Sequence, residues 1–223
     1  MEDYSAIRKR MVDCQLRTGD VTDYAVLDAM GEIPRERFVP ARMQSLAYID
    51  EDLMVKEAEG EIPARYLMEP RPFARLVQLA EVKSSDIVLD IGCVAGYSTA
   101  VLARLADSVV GLEMDADLAA LASENLVELG VANAAVVTGP LDIGYPSEGP
   151  YDVIFLGGAV QIVPEALFAQ LKDGGRLVGI VGRGHSAQAM IYARTGDDVG
   201  GRPVFNAEVR PLPGFEKPRE FAF

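Results

Sequence analysis

The sequence predicts an α/β fold: a mostly parallel, seven-stranded sheet with helices on both faces and a helical extension at the N-terminus. Three observations point to it. Beyond Arg71, short apolar runs alternate with stretches of helical periodicity, as strands joined by crossover helices require. One of these runs, Ile87-Val88-Leu89, leads through Asp90 into Gly92 and Gly96 and then a helix, the outline of a strand-to-helix turn at a ligand crevice. Near the end, Ala187 to Arg194 and Arg202 to Arg210 flank the turn-rich TGDDVGG and read as an antiparallel hairpin at the sheet's edge.

From Tyr4 to Leu16, the residues Tyr4, Ile7, Met11 and Cys14 recur at spacings of three and four, with Val12 and Leu16 widening the face, as an amphipathic helix requires. A second helix follows Asp20 over Val21 to Met30, with Gly31 as its stop and Pro34 opening the next turn. Glu51 to Pro72 has three prolines, mixed charge and no clean period, and reads as an irregular crossover of the kind that carries substrate contacts. A helix on Phe73, Leu76, Val77 and Ala80 then feeds the alternation: strand 87–89, helix Tyr97 to Leu105, strand Val109 to Leu112, helix Asp117 to Leu129, strand Ala134 to Val137, strand Tyr151 to Leu156, helix Val163 to Leu171, an exit turn at Gly174-Gly175 and strand Arg176 to Val181. The boundaries expected are an extension over 1–72 and a ligand-binding domain over 73–223, one compact unit in all.

Charge and composition exclude several classes. Lys and Arg total 21 against 34 Asp and Glu, a net charge of -13, which disfavours binding to nucleic acid phosphates. Two distant cysteines, Cys14 and Cys93, and one histidine offer neither a disulfide framework nor zinc-ligand spacing. Met1 to Gln15 lacks an apolar core of signal-peptide type and no 18-residue apolar run occurs, so a cytoplasmic protein without a membrane anchor is expected.

The segment VLDIGCVAGYS has the form of a turn that holds an adenosine-type ligand outside the carboxyl ends of the strands, its glycines allowing close backbone approach. A ligand-free tight turn has the same outline. Val94 between the glycines breaks GxGxxG and argues against a dinucleotide. Glu113 lies 23 residues beyond Asp90, at the end of the apolar strand VVGLE, where a carboxylate accepts the hydroxyls of a ribose. Turn, spacing and acid together favour nucleoside binding.

Three segments then resemble the protein-L-isoaspartate O-methyltransferase family, over roughly Asp20 to Gly214: VLDAMGEIPRERFV, VLDIGCVAGYSTAVLARLA and, most specific, YDVIFLGGAVQIVPEALFAQLKDGGRLVGIVG. The resemblance implies a Rossmann-like class I methyltransferase that uses S-adenosylmethionine, releases S-adenosylhomocysteine and methylates an isoaspartyl or D-aspartyl carboxylate in damaged protein. It implies a cofactor set of Asp90, Gly92, Gly96, Glu113, Met114, Leu141 and Asp142, with Tyr66, Met68 and Glu69 nearest the transferred methyl.

Several positions depart from the family pattern. Its G-x-G-x-T-I-S-Q-P segment, aligned on Pro70, puts Met68 in place of the serine, and a thioether has no proton to give. Tyr66 replaces the threonine. Glu69 sets a negative charge beside a carboxylate substrate, which calls for compensation by Arg65 or Arg71. Val94 replaces the central glycine of the turn. Gly139-Pro140-Leu141 replaces Gly-Asp-Gly, leaving Asp142 as a substitute contact to the adenine, at a cost of about 1.5 to 3 kcal/mol if that bond is lost.

The expected partners are a protein or peptide substrate, or a small molecule, for a monomer or weak dimer. Two alternatives stay open beside the leading one: a catalytically silent member that binds a nucleoside or a partner protein, and a methyltransferase for another small nucleophile. His185 and Arg183, in a turn after the fifth strand, are minor candidates for a base and an anion contact. Phe215, Phe221 and Phe223 are expected to pack the chain end onto the body of the protein.

Overall fold

The computed structural model describes residues 3–60 and 62–217. Helix α1 (Tyr4–Met11) starts at Asp3, whose carboxylate accepts from the Ser5 and Ala6 N–H groups. It runs on through a π-helical turn at Val12–Leu16. That wider turn changes which side faces inward: Met11, Val12 and Leu16 enter the core, and Cys14, expected on the buried side, is exposed. Helix α2 (Tyr24–Glu32), capped by Asp23, passes through Gly31 instead of stopping there. It ends at Ile33, in extended conformation, because Pro34 disfavours the helical region for the residue before it.

Glu51 to Pro72 is more ordered than expected. Strand β1 (Leu53–Lys56) pairs antiparallel with β2 (Arg65–Leu67) in a small sheet of their own. Pro70 then opens α3 (Pro70–Ala80) at the first helical turn, where its missing N–H costs nothing.

The main sheet is built from β3 (Ile87–Ile91), β4 (Ser108–Glu113), β5 (Ala134–Thr138), β6 (Tyr151–Val160), β7 (Leu171–Val181), β8 (Gln188–Thr195) and β9 (Asp198–Asn206). Its order is β5-β4-β3-β6-β7-β8-β9, parallel from β5 to β7 and antiparallel at β8 and β9. Helices α4 (Tyr97–Ala103), α5 (Ala116–Glu128) and α6 (Glu165–Phe168) are the crossovers. The seven-stranded, mostly parallel architecture is the one the sequence predicts. Two local expectations change. The helix over Val163 to Leu171 shortens to α6, since Leu171 already pairs with Tyr151, and Gly174-Gly175 lie in a bulge within β7. In the end hairpin Thr195 pairs with Asp198, so the turn is only Gly196-Asp197 and β9 stops at Asn206 instead of Arg210.

Alternation along the strands divides the core by face. Val88, Val153, Phe155, Val178 and Ile180 pack beneath α1 to α5, in one cluster with residues of the N-terminal extension. Leu89, Ile91, Ile154, Leu156 and Leu177 face the other way, covered by α6, Leu141 and the C-terminal segment with Leu212 and Phe215. Phe215 is buried as expected; Phe221 and Phe223 lie outside the described residues.

Arg35 ties segments of the extension to one another and to α4. Its guanidinium is fully buried, donates to the carbonyls of Ala47 (2.7 Å) and Met68 (2.6 Å), and stacks over the Tyr97 ring at 4.9 Å. Truncation would leave two buried carbonyls unpaired at about 1 to 3 kcal/mol each. Arg35→Ala is therefore expected to lose about 3 kcal/mol or more of stability, read as a lower urea midpoint with an unchanged slope.

Candidate active site

In the main sheet the chain order reverses between β3 and β6, the point at which open α/β sheets form a crevice at their carboxyl ends. Here β3 ends in Asp90-Ile91, and the turn 92–96 leads to α4. Gly92 (φ 84°) and Gly96 (φ 95°) take left-handed conformations, and so does Val94 (φ 53°), a region unfavourable for a β-branched residue. A side chain at Gly96 would strike Ala122 of α5 at 3.1 Å, so that glycine serves helix packing. A side chain at Gly92 would point into the crevice.

Both predicted carboxylates are fully buried there. Asp90 accepts through Oδ2 from the Ser98 and Thr99 hydroxyls of α4, at 2.6 and 2.7 Å, while Oδ1 has no hydrogen-bond partner. Burial, and to a smaller degree the Glu113 charge, push its carboxyl up to about 6 against the opposing pull of the two hydroxyls. Glu113 accepts through Oε1 from the N–H groups of Met114 (2.9 Å) and Asp115 (3.2 Å). Its Oε2 accepts from the Val94 N–H (2.9 Å) and from Arg65 Nη2 (2.7 Å). Four donors use the acceptor sites of one carboxylate.

Arg65, on β2, is only 2% exposed, and its Nε lacks a partner. With Leu212 it fills the space that Gly92 leaves open: a Cβ built on Gly92 would come 2.4 Å from Leu212 Cδ1 and 3.2 Å from Arg65 Nη2. Leu212 is held in register by hydrogen bonds between Ala159 and Arg210 and between Leu212 and Ala159, at 2.9 and 2.7 Å. What remains of the crevice is two cavities of about 10 Å³ each, one against Arg65, Gly157 and Leu212 and one against Gly92, Val94 and Tyr97. Neither exceeds the space of about one water molecule.

Beyond the Arg210–Leu212 segment lies an open cleft of about 610 Å³. Glu69 lines it, as do Asp52, Arg183, Glu208 and Arg210. Glu69 is half-buried; burial first, then Asp52 and Asp50, raise its carboxyl to about 7. Arg71 opposes that rise, whereas Arg65 is turned to Glu113 and gives Glu69 no compensation. Met68 is buried, and the Tyr66 ring lies under the Arg210 guanidinium at 5.2 Å. Met114 follows Glu113 directly, Leu141 is buried in the second face of the core, and Asp142 sits beside Gly214. His185 is exposed, with Nδ1 2.8 Å from Glu208. No cluster of His, Cys, Asp and Glu suited to a metal ion occurs among the described residues. Arg65 as the partner of Glu113, and Leu212 as a cap, are not apparent from sequence; Ser98 and Thr99 were open to inference, eight and nine residues beyond Asp90 at the start of a helix.

A mostly parallel sheet of this order with acids at the ends of β3 and β4 is Rossmann-like, and the family match places it among the S-adenosylmethionine-dependent methyltransferases. The family model for protein-L-isoaspartate(D-aspartate) O-methyltransferase matches residues 6–208, and the chain belongs to that family. Among similar proteins, Protein-L-isoaspartate O-methyltransferase 2 of Anaeromyxobacter sp. (strain Fw109-5) is 36% identical over 92% of this chain and 82% of its own. Protein-L-isoaspartate O-methyltransferase of Koribacter versatilis (strain Ellin345) is 41% identical over 78% and 76%. A solved protein-L-isoaspartate O-methyltransferase superposes with a TM-score of 0.80 at 28% identity, covering 93% of this chain and 66% of that one. A structure from Plasmodium falciparum in complex with S-adenosyl-L-homocysteine shares the fold, with a TM-score of 0.74 at 20% identity over 92% of this chain and 97% of that one.

The crevice as folded does not fit the cofactor of this family. Drug-sized ligands occupy pockets of about 300 to 1,000 Å³, and the space beside Gly92 is taken by Arg65 and Leu212. Glu113 has no acceptor site left for a ribose.

The raised carboxyl of Glu69 has a consequence for stability. Its proton is held to about pH 7 in the folded chain against 4.5 ordinarily, so protonation adds stability that is complete below pH 4.5 and lost as pH rises through 7. Relative to Glu69→Gln, the wild type is expected to lose stability across that window and to show a constant difference above it, by a modest amount given the exposure of the group. Urea midpoints of the two proteins across the range check this.

Proposed function

We propose that the chain is a protein-L-isoaspartate (D-aspartate) O-methyltransferase whose acceptor is a carboxylate in damaged protein or peptide. The observation that carries this is the family match over residues 6–208, which includes the strand-helix-strand block from β6 to β7. S-adenosylmethionine supplies the methyl group in this family. Asp90, Gly92, Gly96, Glu113, Met114, Leu141 and Asp142 are the residues proposed to hold it once the crevice is open, and Tyr66, Met68 and Glu69 those proposed nearest the acceptor.

The residues of the open cleft bear on the acceptor. Arg183 and Arg210 supply positive charge for a carboxylate, and Glu69, neutral over part of the population near pH 7, repels it less than an ordinary glutamate would. A net charge of -13 supports a protein or peptide acceptor over a nucleic acid. No helix of the described residues is long and apolar enough to cross a membrane; a cytoplasmic location is part of the proposal. A monomer or weak dimer is part of the same reading.

A second reading, a catalytically silent member that binds a nucleoside or a partner protein, is favoured in its partner-binding form by one observation, the filled crevice. The two are separated by following base-labile methyl incorporation from labelled S-adenosylmethionine into an isoaspartyl peptide and its aspartyl isomer. Incorporation into the isoaspartyl peptide alone is the expected result. No incorporation into either peptide, from protein that is folded, would sink the enzymatic reading for this acceptor.

A further inference from the structure

We propose that Arg65 is a latch on the cofactor crevice: its guanidinium occupies the carboxylate of Glu113 that a ribose would otherwise use, and Leu212 caps the same space over Gly92. The inference rests on the cofactor assignment of the family and not on the identity of the methyl acceptor.

The competition is geometric. Arg65 Nη2 stands 2.7 Å from Glu113 Oε2, the other three acceptor sites of that carboxylate are held by backbone N–H groups, and both side chains are almost wholly buried. Of the four donors, only Arg65 can leave without dismantling the turns after β3 and β4, because the others are main-chain groups of those turns. Removal of the guanidinium would free one acceptor position and, at the same stroke, part of the volume beside Gly92, Leu212 filling the rest.

The elements that carry the latch lie outside the main sheet. Arg65 is on β2, which pairs only with β1. That hairpin is tethered to the head of α5 by Lys56, which pairs with Asp115 at 2.7 Å and Asp117 at 3.0 Å. Leu212 belongs to a segment joined to the end of β6 by the hydrogen bonds at Ala159. Outward movement of the hairpin and that segment would join the two small cavities beneath them, leaving the sheet register unchanged.

Titration calorimetry with S-adenosylhomocysteine tests the latch on wild type, Arg65→Ala and Leu212→Ala, each checked for fold by circular dichroism. Arg65→Ala is expected to bind at least ten-fold more tightly than wild type, and Leu212→Ala about three-fold, the smaller gain reflecting an ion pair left in place. Equal affinity in wild type and Arg65→Ala, whether tight or too weak to detect, overturns the proposal, and so does weaker binding by the variant. If Arg65→Ala does not fold, because Glu113 loses its counter-charge, Leu212→Ala decides: tighter binding supports the latch and unchanged or weaker binding overturns it. Tighter binding without transfer to isoaspartyl peptide would leave the latch standing and remove the proposed acceptor, whereas transfer by wild type with no gain in the variants would do the reverse.

Discussion

Glu113 has four acceptor directions, and the chain fills all of them from within: three main-chain N–H groups and the guanidinium of Arg65. A carboxylate without exposed surface requires such compensation, since an unpaired buried charge is far more costly than a paired one. The arrangement around it follows. The turn after β3 bends so that the Val94 N–H reaches Oε2, β2 is drawn against the ends of β3 and β4 by Arg65, and Leu212 closes over what remains. Asp90, beside it, satisfies one oxygen on α4 and leaves the other without a donor. The crevice at the switch point of the sheet is therefore polar at its base and closed at its mouth.

Much of this was legible in the sequence, for a physical reason. Strands covered on both faces read as near-continuous apolar runs, so IVLDI, VVGLE and YDVIFL announce themselves; an acid at the end of such a run is as often a solvated charge, and it is the glycine turn after Asp90, 23 residues before Glu113, that points to a crevice. Asp90, Gly92 and Glu113 do meet there. The β1–β2 hairpin was not legible, because strands of four and three residues flanked by prolines and charges have too little periodicity to stand out. Arg65 was missed as a partner of Glu113 for a different reason. An arginine in a polar segment reads as solvated, and its burial depends on a carboxylate 48 residues further on. Helix α6 and the end hairpin erred at their boundaries, where sheet pairing overrode local pattern.

The departures from the family pattern form one connected change when seen in the fold. Val94 and Met68, two of those departures, line the two small cavities together with Arg65 and Leu212, the four residues coming from three stretches of sequence. The roomier space lies further out, in a cleft lined by Glu69, Asp52, Glu208, Arg183 and Arg210. The family match runs through the hairpin as well as the sheet, so membership and a crevice closed to the cofactor coexist in one chain: the hairpin pairs outside the main sheet and meets the end of β4 and the head of α5 through Arg65 and Lys56.

Closure of the crevice by Arg65 and Leu212 is tested by a crystal structure of the protein grown without any nucleoside, read at the Glu113 carboxylate. The Arg65 guanidinium is expected within hydrogen-bonding distance of Oε2, with Leu212 over Gly92 and space for no more than about one water in each remaining cavity. Arg65 turned to solvent, with a continuous column of water running from Gly92 to Glu113, would contradict that closure.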